Sequence, residues 1–132
     1  MDASTPSKID VRYAEHKVLF SICDCTTSKP YSFWCLDRLH AEEFIKRLRH
    51  LEQLEWRQLS ALDRERGLTV EKTGSDSFNM IHEQNSSLEK ITEQYYFHFR
   101  VEQRVLFRVF VYQKGRLFCI THLDADGLIH HD

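Results

Sequence analysis

The last third of the chain contains three β-rich runs joined by very short connections, and this pattern constrains the fold more than any other feature. Residues 95–101, 104–112 and 116–123 are rich in Phe, Val, Tyr and Ile, and only residues 102–103 and 113–115 separate them. Connections of this length can join only antiparallel neighbours. The sequence therefore predicts a three-stranded antiparallel meander.

Side chains in the first two predicted strands alternate between two faces. One face carries apolar residues that we expect to pack on a helix: Tyr95, Phe97, Phe99, Val101, Val105, Phe107, Val109 and Val111. The other face mixes cations, a histidine and apolar groups: Tyr96, His98, Arg100, Arg104, Leu106, Arg108, Phe110 and Tyr112. This second face is either the solvated side of a one-sided sheet or a binding surface.

A long amphipathic helix is predicted before the meander. Apolar residues recur at helical spacing from Leu39 to Leu62, and Asp37 is a candidate N-cap. A break near residues 56–60 would divide this region into two helices. We interpret the apolar stripe as the core of the domain, because such stripes usually pack within their own fold.

The N-terminal part contributes further β-favouring runs. Residues 17–23 and 31–36 predict a β-hairpin, and residues 68–72 predict a short strand. The small and polar residues 1–9 predict a flexible lead-in, and the polar stretch 74–90 predicts a mobile loop.

The expected architecture is a single α+β domain over residues 10–132, with the hairpin, the helix and the meander packed on the helix. A chain of 132 residues is the size of one such domain.

Composition limits the classes of function. The net charge is −2, so no global field attracts the chain to nucleic acid or to an anionic membrane, and any RNA-binding surface must be a local patch. The sequence has no run of about 20 apolar residues and no recognisable signal segment, which predicts a cytoplasmic protein without membrane contact. Its four cysteines are then expected to be reduced thiols.

The second face carries the strongest candidate site. Arginines can clamp phosphates, an aromatic ring can stack a base, and a histidine can transfer protons near neutral pH. The candidate RNA-binding residues are Tyr96, Arg100, Arg104 and Arg108. The candidate acid–base residues are His98 and His122. Such a set is typical of a metal-independent endoribonuclease, in which the RNA 2′-hydroxyl is the nucleophile.

Metal binding has weaker support. Cys23 and Cys25, with Cys35, Cys119 or His122, have the elements of a zinc site but not its spacing, and strand cysteines are more often apolar fillers. The tail 122–132 gathers three His and three Asp, yet its Asp-Ala-Asp-Gly segment is an ordinary turn sequence. We expect no metal and no cofactor.

The layout resembles the RelE/ParE-like toxins of bacterial toxin–antitoxin systems. The resemblance rests on a strand-rich start, a helical region and a meander that bears Phe99-Arg100 and the run 104–112. It implies an mRNA endonuclease, ribosome-dependent or free, that an antitoxin neutralises. Arg100, Arg104 and Arg108 match the basic strand positions of that family, with His98 and His122 as acid–base groups.

The chain also departs from that family. Such toxins are typically basic, whereas this chain is slightly acidic. The N-terminal hairpin and the loop at 74–90 are not part of their minimal form. Small bacterial and phage-borne proteins look similar as well.

Two functions therefore stay open. The first is a toxin-like protein that binds or cleaves RNA, in a bacterial toxin–antitoxin or phage-defence system. The alternative is a non-catalytic protein-binding module, an inhibitor or adaptor, that acts through the exposed aromatic sheet face or a sheet edge.

Overall fold

The computed structural model describes residues 9–27, 31–63, 66–70, 96–101 and 106–127. The α+β class is confirmed. The α-helices are Arg38–Leu51 (α1) and Trp56–Ala61 (α2), and the strands are Leu19–Ser21 (β1), Thr69–Val70 (β2), Tyr96–Arg100 (β3), Arg108–Lys114 (β4) and Leu117–Asp124 (β5). Short 3-10 helices lie at Val11–Tyr13 and Phe33–Cys35.

The described strands form one sheet in the order β1-β5-β4-β3-β2. The predicted meander is present, because β4 pairs antiparallel with both β3 and β5. The β4–β5 turn contains Gly115, whose φ of 62° is a conformation that glycine adopts without steric cost. Since Arg116 has no positive φ, the turn follows the type II′ pattern that suits a tight hairpin.

The N-terminal strand has a different partner from the one predicted. β1 pairs in parallel with β5 and not with residues 31–36, which contain a 3-10 helix at Phe33–Cys35. In that segment the Tyr31 carbonyl accepts a hydrogen bond from the Leu123 amide, and the Phe33 ring packs on Phe44 of α1. These tertiary contacts outweigh the local preference for a strand.

The predicted helix is divided in two. Asp37 caps α1 as expected, since its carboxylate accepts a hydrogen bond of 2.8 Å from the His40 amide. The helix ends at Leu51, and α2 begins at Trp56, so the break lies just before the predicted position. The side chain of Gln58 fixes this start, because it accepts a hydrogen bond of 2.9 Å from the Glu55 amide.

The core lies between the helices and the face of the sheet that carries Phe97, Phe99 and Val109, called here the core face. Phe118 of β5 is at its centre. The Phe118 ring lies within 4.9–6.3 Å of four other rings, measured between centroids: Phe20, Trp56, Phe97 and Phe99. Ring pairs at these distances add to the stabilisation from burial.

Two predictions concern segments near the limits of the described chain. Ile9, expected at the end of the flexible lead-in, is buried in the core. Residues 1–8 and the predicted loop 74–90 lie outside the described residues.

Among the described helices, none combines the length and the apolar character that a membrane crossing requires.

Candidate functional site

The second face of the sheet, opposite the core face, is largely buried and not solvated. Tyr96, Phe110 and His122 are almost fully buried, and His98 is only 6% exposed. The loop after β1 lies over part of this face, since Asp24 accepts a hydrogen bond from the Tyr112 hydroxyl. The aromatic side chains that were expected to form an exposed docking face are therefore internal packing groups.

Strand register arranges the second face in rows that run across the sheet. Residues that pair between neighbouring strands point to the same side. The rows are Asp124–Arg108–Arg100, then His122–Phe110–His98–Thr69, then Cys119–Tyr112–Tyr96. Charged groups thus gather in the first row, whereas the other two rows hold uncharged aromatic and polar groups together with the two histidines.

The first row contains two of the three predicted arginines. Arg100 and Arg108, called here the arginine pair, are direct cross-strand neighbours and are both partly exposed. Arg108 also pairs in register with the buried Asp124, which places one carboxylate on the strand next to Arg108, on the side away from Arg100. The Nε of Arg100 is buried and has no hydrogen-bond partner among the described residues. Arg104 lies outside them.

An arginine that the sequence did not single out supports this end of the sheet. Arg47 of α1 donates from Nε to the Arg100 carbonyl at 3.1 Å, and from Nη2 to the Arg66 carbonyl. Burial lowers the pKa of the Arg47 guanidinium. Its role is to join α1, the end of β3 and the turn before β2, and these contacts are with backbone carbonyls.

The two predicted acid–base histidines lie on the same row but do not meet. His98 lies on β3 and His122 on β5, and both pair with Phe110 on β4 between them. The backbones at the two histidines are therefore two strand spacings apart, roughly 10 Å. The His98 ring contacts Phe110 at 5.5 Å between centroids, and the His122 ring contacts Tyr31 at 5.8 Å. In this conformation neither ring is accessible to a substrate hydroxyl.

Hydrogen bonding determines the form of His122. The Thr121 hydroxyl donates to the Phe110 carbonyl at 3.1 Å, so its oxygen can only accept from His122 Nδ1, 3.0 Å away. The Nδ1 atom must then carry the proton. Burial lowers the pKa of His122 to about 4, despite the opposing charge of Asp124, so the ring is neutral at pH 7.

The third row is a set of neutral polar groups. Burial raises the pKa of Tyr96, of Tyr112 and of the Cys119 thiol, and all three stay protonated at neutral pH. Tyr96 contacts Tyr112 at 5.9 Å between ring centroids. It lies four residues before Arg100 on β3, about 13 Å away along the strand. Tyr96 therefore does not stand among the arginines, and its buried ring offers no face to a base.

An apolar surface lies beyond the end of β1, where no functional residue was predicted. Trp34 is 72% exposed and Ile22 is 62% exposed. They border a cavity of about 170 Å³ whose other lining residues are Cys25, Thr26, Thr27, Ser32 and Phe33. We call these residues together the Trp34 surface. Burial raises the pKa of the Cys25 thiol to about 11, so the thiol presents an uncharged lining at neutral pH.

Sequence reasoning missed this surface for a definite reason. Trp34 belongs to an apolar run that was interpreted as a strand, and Ile22 was placed in the strand before it. In the structure Phe33 begins a 3-10 helix and packs on Phe44 of α1, while its neighbour Trp34 faces solvent. An exposed tryptophan is unusual, because this residue is highly buried on average.

The described residues contain no group of three His, Cys, Asp or Glu side chains placed to hold a metal ion. Cys23, Cys25 and Cys119 are free thiols. In the tail, Gly127 has a φ of 67°, as expected for the predicted turn, and residues 128–132 lie outside the described chain.

Comparisons of this chain with protein-family models, with curated proteins and with solved structures found no match.

Proposed function

We propose that this chain is a non-catalytic protein-binding module that recognises a partner protein through the Trp34 surface. The observation that carries the proposal is the exposure of Trp34 and Ile22 beside an apolar cavity. Tryptophan is among the residues most enriched at binding hot spots, and contiguous exposed apolar groups mark interaction sites.

The setting of these residues also favours recognition. The Trp34 surface is held by the fold, since the Phe33 ring packs on Phe44 and the Thr26 amide donates to the Thr121 carbonyl at 2.9 Å. A surface that is rigid before binding loses less conformational entropy when a partner docks. The chain would then act as an inhibitor or adaptor, and not by catalysis.

The experiment compares binding of a purified partner candidate, such as the product of a neighbouring gene, to four forms of the chain. Trp34→Ala and Ile22→Ala should each weaken binding by about thirtyfold or more, because a hot-spot truncation costs about 2 kcal/mol or more. Ile45→Ala is the matched control, since Ile45 is an exposed isoleucine on α1. Equal affinity of all four forms would refute the proposal.

RNA binding in a toxin-like protein is a second candidate, favoured by the arginine pair. Two neighbouring guanidinium groups can each form bidentate hydrogen bonds to phosphate. The near-neutral charge of the chain limits such binding to this local patch. Cleavage would further require His98 or His122 to reach the substrate, which demands a conformation in which one ring is exposed.

This candidate has its own test. Affinity for a single-stranded RNA oligonucleotide is measured over a range of salt concentrations. The wild type is compared with a double variant that carries Arg100→Gln and Arg108→Gln. Loss of two phosphate contacts should make the slope of log affinity against log salt shallower by roughly 1.4. The exposed Arg49→Gln is the control. An unchanged slope in the double variant would exclude the arginine pair as the RNA site.

A further inference from the structure

We propose that the partner segment is an acidic, extended peptide that lies along the outer edge of β1 and places an apolar side chain in the cavity beside Trp34. This inference rests on the proposed protein-binding function and specifies the chemistry of the partner. Three features of the region carry it: an open strand edge, a group of cations at one end and the apolar cavity at the other.

The first feature is the strand edge. β1 is the outermost strand next to β5, and no backbone hydrogen bond between described residues uses its outer side. Such an edge can accept an added strand from another chain. Just before β1, the Val18 amide already donates to the Leu54 carbonyl, and the Trp56 amide to that of His16. The open edge is therefore short, and side-chain contacts must supply most of the affinity.

The second feature is the charge at the start of β1. Leu19 and Leu117 are register partners, are 38% and 36% exposed, and form a small apolar step. Lys114, the last residue of β4, pairs in register with Leu117, the first residue of β5. Arg116 lies in the turn between these two strands. Neither cation forms an ion pair with a described residue, whereas the nearby Arg12 and Arg57 are paired with Asp10 and Glu55. A partner with carboxylates at this end would complement Lys114 and Arg116.

The third feature is the cavity at the far end of β1. Ile22 directly follows Ser21, so a segment that runs along β1 reaches the Trp34 surface within about 10 Å, or three residues. The described residues that line this cavity are all uncharged. The geometry therefore fits a short extended segment with acidic residues near Leu19 and an aliphatic or aromatic residue about three positions away.

The experiment selects ligands from a random twelve-residue peptide library displayed on phage, with the folded full chain as the target. Enriched peptides should combine net negative charge with an apolar anchor. Their binding should be lost in Trp34→Ala. It should be weakened about tenfold in a double variant that carries Lys114→Glu and Arg116→Glu. The matched control is Lys46→Glu, Arg49→Glu, which makes the same change on the exposed side of α1 and should bind as the wild type does.

Each result separates this inference from the function on which it rests. Enriched peptides that need Trp34 but carry no acidic bias would overturn the inference and leave the protein-binding function standing. Peptides that bind equally well without Trp34 and Ile22 would overturn both. A library that yields no binder would also contradict the inference, because a preformed site of this kind should retain short peptides.

Discussion

The buried histidine His122 predicts a specific loss of stability in mild acid. Its pKa is about 4 in the folded chain and about 6.5 when unfolded. Between these values the unfolded chain binds more protons than the folded chain does, so the free energy of unfolding falls as the pH falls. The contribution is fully present above pH 6.5 and is lost as the pH approaches 4.

The size of the effect follows from the two pKa values. Between pH 7.5 and pH 4.5, His122 alone should lower the free energy of unfolding by about 2.5 kcal/mol. This is a large share of the 5–15 kcal/mol typical of such a domain. The origin of the low pKa is burial of the ring, which the negative charge of Asp124 opposes only in part.

Urea unfolding at a series of pH values measures the effect, with the wild type compared with His122→Asn. The asparagine amide can still donate to Thr121 but does not titrate. The other seven histidines are common to both proteins, so their contributions cancel in the comparison. The wild type should lose about 2.5 kcal/mol more than the variant over this range. Parallel pH profiles would show that His122 is not a buried neutral ring.

Three further predictions concern the fold, and urea unfolding at pH 7.5 tests each. Asp37→Ala should lower the free energy of unfolding, because the cap to the His40 amide is lost, and Asp37→Asn, which keeps an acceptor, should recover most of the loss. Tyr112→Phe should cost about 1–3 kcal/mol by leaving Asp24 without this donor, and no change would mean that the loop is not held there. Phe118→Ala should cost about 3–5 kcal/mol, since Phe118 contacts four aromatic rings, and a cost under 1 kcal/mol would contradict its central position.

The elements predicted best from the sequence are those with strong local signals. The meander follows from alternation and short turns, and α1 follows from its apolar period and its cap at Asp37. The N-terminal segments were harder, because β1 gains its pairing from β5, almost a hundred residues later. The run 17–23 therefore carries a local signal for a strand but none for the partner of that strand.

The site was predicted less well, for a reason that lies in the second face. Alternation correctly placed Tyr96, His98, Arg100 and Arg108 on one side, yet period alone cannot tell a solvated face from a covered one. The aromatic residues Phe110 and Tyr112 on the same side were the available hint that this face is covered. The apolar run 31–36 does not by itself tell which of its side chains pack inside, so the exposure of Trp34 could not be read from it.

The most direct test of the central proposal is an NMR titration of the isotope-labelled chain with an enriched peptide and, separately, with a single-stranded RNA oligonucleotide. We predict that the peptide shifts the amide signals of Leu19–Ser21, Ile22 and Trp34, and that the Trp34 indole signal shifts with them. The account would be contradicted if the peptide shifted only the signals of Arg100 and Arg108. It would also be contradicted if RNA shifted those two signals and the peptide shifted none at the Trp34 surface.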